Sequence, residues 1–441
     1  MKINQLMRFG IFFIGISSVA AQEKTNLKLE DAIHLAWTKS NEVSLANTKV
    51  NTRKYELLST KNNQYPDFKI SAQYQRLTNA NVDLKVNQGS NSGTTPRVDQ
   101  LILGQASTSL PLFAGFKIQN SIQLKDALYQ AETASALQTK EEVAMKVVNY
   151  YASLYKAQKT VELLKENQKR AEQRTIDFTN LEKNGIIARN DLLKSQLQVS
   201  KIQLSIDEAV NNLNIVNFYL VTLLKLEPET QLVVLESDFS NFKMDNIPDN
   251  EAPALQNRKD LEAVRLQGKA SQSNIKIAKS SYYPSVTLLA GYTAIDLKNV
   301  VTVENAMNLG LGLSYDLSAI LKNSALVKVA ESKATETQNA EAILTDYIKV
   351  EVQKAIEDYQ LALKQDVVYG QAVEQSSENY RIVKDKYENG LSDTNDLLEA
   401  DVEQLSATIN KALAKANIIQ KYYELLSVTG QLSQTFNLSK I

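Results

Sequence analysis

The chain has 441 residues with 49 basic against 50 acidic side chains and a net charge of −1, so it carries no basic footprint for nucleic acid. Cysteine is absent and His34 is the one histidine, which excludes disulfides, a zinc-thiolate centre, a multi-histidine metal site and a lipid-modified N-terminal cysteine. With only 14 glycines and 7 prolines, helix breakers are scarce enough for very long helices, and no cofactor is expected.

Lys2 and Arg8 precede an apolar run, Phe9 to Ile16, that ends in small residues up to Ala21; residues 1–21 read as a secretory signal peptide. No later stretch reaches the roughly 20 uncharged apolar residues of a spanning helix, so residence in a bilayer would require β-structure. A first structural repeat occupies 22–228. Its opening helix, about Leu29 to Asn63, stops before Pro66 because the residue preceding proline is pushed out of the helical region. A strand near 66–77 follows, in which Phe68, Ile70, Ala72 and Tyr74 alternate with Lys69, Ser71, Gln73 and Gln75. After a Gly-, Asn-, Ser- and Thr-rich loop, Asn79 to Asp99, a second strand near 100–113 alternates Ala106, Thr108, Leu110 and Leu112 against Gln105, Ser107 and Ser109.

From Lys117 to Lys183 there is neither proline nor glycine, and Val147, Tyr151, Leu154 and Val161 keep the spacing of a coiled-coil seam. Such a segment is on the order of 100 Å long at the usual helical rise, far beyond a compact domain. The chain then turns at 185–190 and returns along a helix whose seam runs Ile206, Val210, Leu213, Leu220 and Leu224, with Asn217 intruding. A linker at 229–257 contains Pro248 and Pro253.

A second repeat, 258–428, restates this order: a helix from about Arg258 to Ser281, strands near 284–295 and 306–317, and a long hairpin turning at 390–395, before a tail at 429–441. The correspondence is constant, since Gly390 follows Gly185 and Ser314 follows Ser109 by 205 residues (390 − 185 and 314 − 109). Tyr283-Pro284 follows Tyr65-Pro66 by 13 residues more, which places an insertion in the loop of the first copy. The shorter loop of the second copy is expected at Asp296 to Asn305. Four strands cannot close a membrane barrel, for which at least about eight are needed, so closure requires several protomers. Tyr65, Phe68, Phe113, Phe116, Tyr282 and Tyr283 gather where strands meet helices, as an aromatic girdle or as hydrophobic staples.

The doubled order of helix, Tyr-Pro strand, strand ending Ser-Leu-Pro-Leu-Phe-Ala-Gly, long hairpin and Asn-Gly turn resembles TolC-like outer-membrane efflux proteins over nearly the whole mature chain. The resemblance implies a mainly α fold with β: antiparallel coiled-coil hairpins forming a periplasmic tunnel, and four strands per protomer contributing to a trimeric, 12-stranded transmembrane barrel. It further implies a homotrimer in the outer membrane that extends into the periplasm. Its role would be passive conduction for tripartite efflux or type I secretion, with a periplasmic adaptor joining it to an inner-membrane RND or ABC pump. The 229–257 linker and the tail match the family's equatorial band. Gly185, Ile186 and Ile187, with Gly390, Leu391 and Ser392, match the adaptor contact. Asp396, Glu399, Asp191 and Tyr387 match the pore constriction, while Ser392 departs from the arginine of the family's archetype. An acidic pair at a helix start is also what the positive end of a helix favours. An envelope coiled-coil or adhesive protein would share the seams but has no use for the alternating strands, and no compact domain is present to hold paired carboxylates as an enzyme would.

Overall fold

The computed structural model describes residues 24–80, 98–240, 244 and 247–436. The expected signal peptide, nearly all of the Asn79–Asp99 loop and the end of the tail lie outside these residues. In order, the elements are β1 (Lys24–Asn26), α1 (Leu29–Lys39), α2 (Asn41–Asn62), β2 (Asp67–Ala80), β3 (Val98–Ala114), α3 (Lys117–Lys183) and α4 (Arg189–Leu224). Then come β4 (Gln231–Val233), α5 (Ser237–Ser240), α6 (Ala252–Asn257), α7 (Lys259–Lys279), β5 (Ser285–Leu297), β6 (Val301–Ser314), α8 (Leu317–Glu388), α9 (Thr394–Val428) and α10 (Leu432–Thr435).

Two boundaries differ from expectation. The opening helix is divided at Ser40, which is buried and extended at φ −64° and ψ 135°. Serine followed by asparagine offers side-chain hydrogen bonds that compete with the helical ladder, and the periodicity of the apolar residues does not reveal such a break. In the second repeat the loop is far shorter than Asp296–Asn305: β5 continues to Leu297 and β6 begins at Val301. The polar residues Asp296, Thr302 and Asn305 therefore lie in paired strands or beside them, where Thr302 Oγ1 donates to Asp296 Oδ1 at 3.1 Å.

Compactness divides the chain differently from the sequence repeats. One unit comprises 1–40, 143–246 and 358–424, the other 41–142, 247–357 and 425–441, so each draws on both copies. A helix as long as α3 or α8 meets different partners along its course, and its seam residues serve more than one core.

In the first unit Tyr151, Leu154, Leu220, Leu224 and Ile33 are fully buried, and the phenol of Tyr151 donates to Leu27 O at 2.8 Å. The first part of the linker, up to residue 246, is built into this unit. Strand β4 pairs in parallel with β1, Lys24 opposite Gln231. Asn217, the intruder in the α4 seam, donates to Thr230 O at 2.8 Å and accepts from Leu232 N at 3.0 Å. Gln158 of α3 donates to Leu232 O at 2.8 Å and accepts from Val234 N at 3.2 Å. Two half-buried amides thus supply the hydrogen bonds a two-stranded ribbon lacks.

The second unit holds an antiparallel sheet in the order β2-β3-β5-β6. Its register aligns the apolar alternation of all four strands. Phe68 faces Thr108, Thr108 faces Ala290 and Ala290 faces Leu309; in the next row Ile70, Ala106, Tyr292 and Met307 are matched in the same way. Directly opposed residues share a face, so in these two rows one side of the sheet is apolar except at Thr108, while Lys69, Ser107, Gly291 and Asn308 share the other; the row of Tyr74, Ile102, Asp296 and Thr302 ends the apolar face in polar residues. Phe68 and Leu309 are each 77% exposed. The register shifts between Pro111 and Phe113, beyond the last β2 partner, where a residue without an N–H is tolerated. Phe116 meets Phe113 and Tyr283 edge to face at 5.2 and 6.1 Å, and Tyr65, Phe68, Phe116 and Tyr283 all stay more than half exposed. Elsewhere in the unit, buried Arg258 binds Asp260 and Glu351 and donates to Val428 O at 3.3 Å. Burial pushes the nearby Glu141 carboxyl up, opposed by a hydrogen bond from Ser433.

Candidate functional site: the two hairpin turns

Both turns lie in the first unit, and both are made in the same way. Gly185 and Gly390 adopt left-handed φ values of 69° and 73°. Ile186 N donates to Leu181 O at 2.9 Å and Gly185 N to Glu182 O at 2.9 Å; Leu391 N donates to Lys386 O at 2.8 Å and Gly390 N to Tyr387 O at 3.0 Å. These paired bonds are Schellman caps, which satisfy the last carbonyls of α3 and α8 and require a residue that tolerates positive φ. A Cβ at either glycine meets nothing within 4 Å, so a substitution is opposed by the backbone alone. Gly390→Ala should therefore lower stability by about 1–2 kcal/mol in denaturant unfolding, with no packing defect.

The side chains around the turns divide into those left outside and those drawn in. Ile186 and Leu391 are 67% and 77% exposed and stand free to meet a partner. Ile187, expected beside Ile186 at the contact surface, is half-buried and packs against the buried cluster of Phe178, Leu192 and Leu397. Tyr387 joins the same cluster, its ring stacked on Phe178 at 5.6 Å, and its hydroxyl has no hydrogen-bond partner among the described residues.

Asp396 and Glu399 are exposed and stand three residues apart on α9, hence on one face. The helix start is capped by a different acid, Asp393, whose Oδ1 accepts from Asn395 N at 2.7 Å and Asp396 N at 3.1 Å. With that role filled, Asp396 is free of it and instead accepts from the Ser392 hydroxyl at 2.8 Å. Asp191 pairs with Lys194 on its own helix at 3.5 Å. No hydrogen bond or ion pair joins Asp191, Tyr387, Asp396 and Glu399 to one another among the described residues; within one protomer they form no constellation.

A polar group that sequence reasoning passed over sits beneath the turns. Asp401 is 2% exposed and accepts from Arg174 Nη2 at 2.6 Å, with Asn167 Nδ2 3.5 Å from both carboxylate oxygens. The signal was available. Leu164, Asn167, Ala171, Arg174 and Phe178 alternate by three and four along α3, and Leu397, Asp401 and Leu405 are spaced by four along α9, so the polar residues occupy seam positions. No helix of the described residues is long and apolar enough to cross a membrane, and no metal-binding cluster occurs among them.

The fold defined by these observations is that of outer-membrane channel subunits. The outer membrane protein VceC from Vibrio cholerae has a TM-score of 0.77 at 15% identity, over 91% of this chain and 96% of that one. The CmeC outer membrane channel of Campylobacter jejuni scores 0.76 at 15% identity, over 98% and 94%. The MtrE outer membrane channel of Neisseria gonorrhoeae scores 0.75 at 18% identity, over 92% and 89%. In sequence, the chain is similar to nodulation protein T of Rhizobium leguminosarum bv. viciae, 25% identical over 289 residues, or 63% of this chain and 59% of that protein. Residues 252–431 match the family described as outer membrane efflux protein.

Proposed function

We propose that the chain is one protomer of a trimeric outer-membrane channel that passively conducts substrates for a tripartite efflux or type I secretion system. The observation that carries this reading is the four-stranded sheet. It presents a largely apolar face over the rows of Phe68 and Ile70, and its outer strands, β2 and β6, each have a single neighbour. In hydrocarbon an unpaired strand edge is untenable, because each open N–H and C=O goes unsatisfied. Strand direction alternates across β2-β3-β5-β6, so β6 of one copy meets β2 of the next antiparallel and a ring of copies closes into an even-stranded barrel. Three copies give the 12 strands that the family resemblance implies.

The exposed pair Asp396 and Glu399 becomes a ring of carboxylates only under threefold symmetry, where it would favour cations at a constriction. Asp191 and Tyr387 belong to this proposal as partners across protomers, since they do not meet within one. The exposed turn residues Gly185, Ile186, Gly390 and Leu391, with Ser392 beside them, form the surface offered to a periplasmic adaptor, and through it to an RND or ABC pump. Ile187 supports the turn from within.

Purified mature chain reconstituted in planar lipid bilayers should give discrete conductance steps from a species of trimeric mass. Asp396→Asn combined with Glu399→Gln should move the cation-to-anion permeability ratio toward unity. A monomeric, non-conducting product would overturn the channel, and an unchanged ratio in the double variant would overturn the ring.

A further inference from the structure

The internal duplication holds in the sheet strand for strand. Tyr283 follows Tyr65 by 218 residues (283 − 65) and Ser314 follows Ser109 by 205 (314 − 109), so β5 repeats β2 and β6 repeats β3. Ala290 and Tyr292 accordingly repeat Ala72 and Tyr74. Pairing obeys the same offsets. The β2–β3 rows from Asp67 opposite Ser109 to Gln75 opposite Leu101 recur between β5 and β6, from Ser285 opposite Ser314 to Thr293 opposite Ala306. One contact lacks its counterpart. Strand β3 of the first repeat pairs with β5 of the second, whereas β6, the equivalent of β3, and β2, the equivalent of β5, each keep an open edge among the described residues.

Carrying the β3–β5 register over by the two offsets sets β6 against β2 of another copy. Ala106 opposite Tyr292 becomes Leu311 opposite Tyr74, and Thr108 opposite Ala290 becomes Leu313 opposite Ala72. On the other face, Gln105 opposite Thr293 becomes Gly310 opposite Gln75, and Ser107 opposite Gly291 becomes Gly312 opposite Gln73. Two observations independent of the offsets agree. Ala72 and Tyr74 share the face of Phe68, and Leu311 and Leu313 share that of Leu309, so the apolar side continues across the junction; a slip of one residue would reverse it. Moreover, the long amides Gln73 and Gln75 both stand opposite glycines in this register alone, since a slip of two residues sets one of them against Ser314 or Asn308. A glycine leaves its space to the side chain opposite, and a Cβ at Gly310 would meet nothing within 4 Å in the single copy.

We infer that β6 of one copy pairs with β2 of a second copy in this one register, Leu311 opposite Tyr74 and Gly310 opposite Gln75, as the repeat between chains of the β3–β5 contact within a chain. The inference rests on the channel reading and fixes which residues meet at its seams. Within one chain β2 and β6 lie three strand spacings apart, roughly 14 Å, so they do not make this contact with each other.

The chain has no cysteine, so thiols can be placed in pairs without removing any. The test is copper-phenanthroline oxidation of the purified full mature chain in detergent, carrying either Tyr74→Cys with Leu311→Cys or Gln75→Cys with Gly310→Cys. These rows adjoin, and opposed residues alternate between wide and close spacing, so one of the two pairs has the close spacing. Expected on non-reducing electrophoresis are covalent dimers and trimers that dithiothreitol dissolves. The displaced pairs Gln75→Cys with Gly312→Cys and Gln73→Cys with Gly310→Cys should give about tenfold less, because diagonal neighbours stand beyond disulfide reach. Light scattering of the unoxidised variants and of the unsubstituted chain gives the mass. A trimeric mass with no bond in either matched pair, or with displaced pairs bonding as well as matched ones, would overturn the register and leave the channel reading standing. A monomeric mass for the unsubstituted chain would overturn both.

Discussion

Asp401→Ala should lower the stability of the purified protein by about 3–5 kcal/mol, among the largest effects of any single substitution in the chain. The carboxylate is 2% exposed and lies 2.6 Å from an arginine whose side chain is 10% exposed. Removing one partner leaves a guanidinium in a site with almost no water, and Arg174 already has two nitrogens without acceptors. The cost is that of an orphaned charge more than of a lost attraction. Arg174→Met with Asp401→Leu should accordingly recover most of the loss, because apolar side chains of similar volume escape the desolvation of both ions. Denaturant unfolding followed by circular dichroism distinguishes the cases: a double variant as unstable as the single would mean that packing, not charge, dominates. Because Asn167, Arg174 and Asp401 stand at seam positions, the double variant should also tolerate a slipped helix register more readily, as coiled coils do when a buried polar position is lost.

Leu309→Arg should reduce folded protein in the outer membrane in proportion to a cost of about 2–4 kcal/mol, the usual penalty for a charge on the lipid side of a barrel near the bilayer centre. Leu309 lies mid-strand in β6, is 77% exposed, and belongs to the apolar face shared with Ala290, Thr108 and Phe68. Asn308→Arg, one residue earlier and on the opposite face, should be close to neutral. Quantifying membrane-inserted protein for both variants tests which face meets lipid. If Asn308→Arg were the damaging change, the sheet would be inside out relative to this reading.

The legible parts of the molecule were those written in short-range pattern. Absence of proline and glycine between Lys117 and Lys183 announces one helix, and the structure has that helix with those ends. Alternation at Phe68, Ile70 and Tyr74 announces a strand, and Gly185 and Gly390 announce reversals that need positive φ. What stayed hidden was the partner of each side chain. Ile187 and Tyr387, matched to the adaptor contact and the pore constriction by family resemblance, pack against the cluster around Phe178, a contact that no local pattern reveals. Asn217 looks like a flaw in a seam until the backbone of the linker strand is seen to take both ends of its amide.

Local pattern by itself determined the elements, their doubling and the positions of the turns, since helix and strand periods and backbone permissiveness act over a few residues. Only the tertiary structure decided that β3 of one repeat lies beside β5 of the other, that the apolar faces of four strands fall into one register, and that Arg174 reaches Asp401 across 227 residues of chain. Those are pairings between distant segments, chosen by burial and hydrogen-bond satisfaction over the whole unit, and no stretch of sequence encodes them alone.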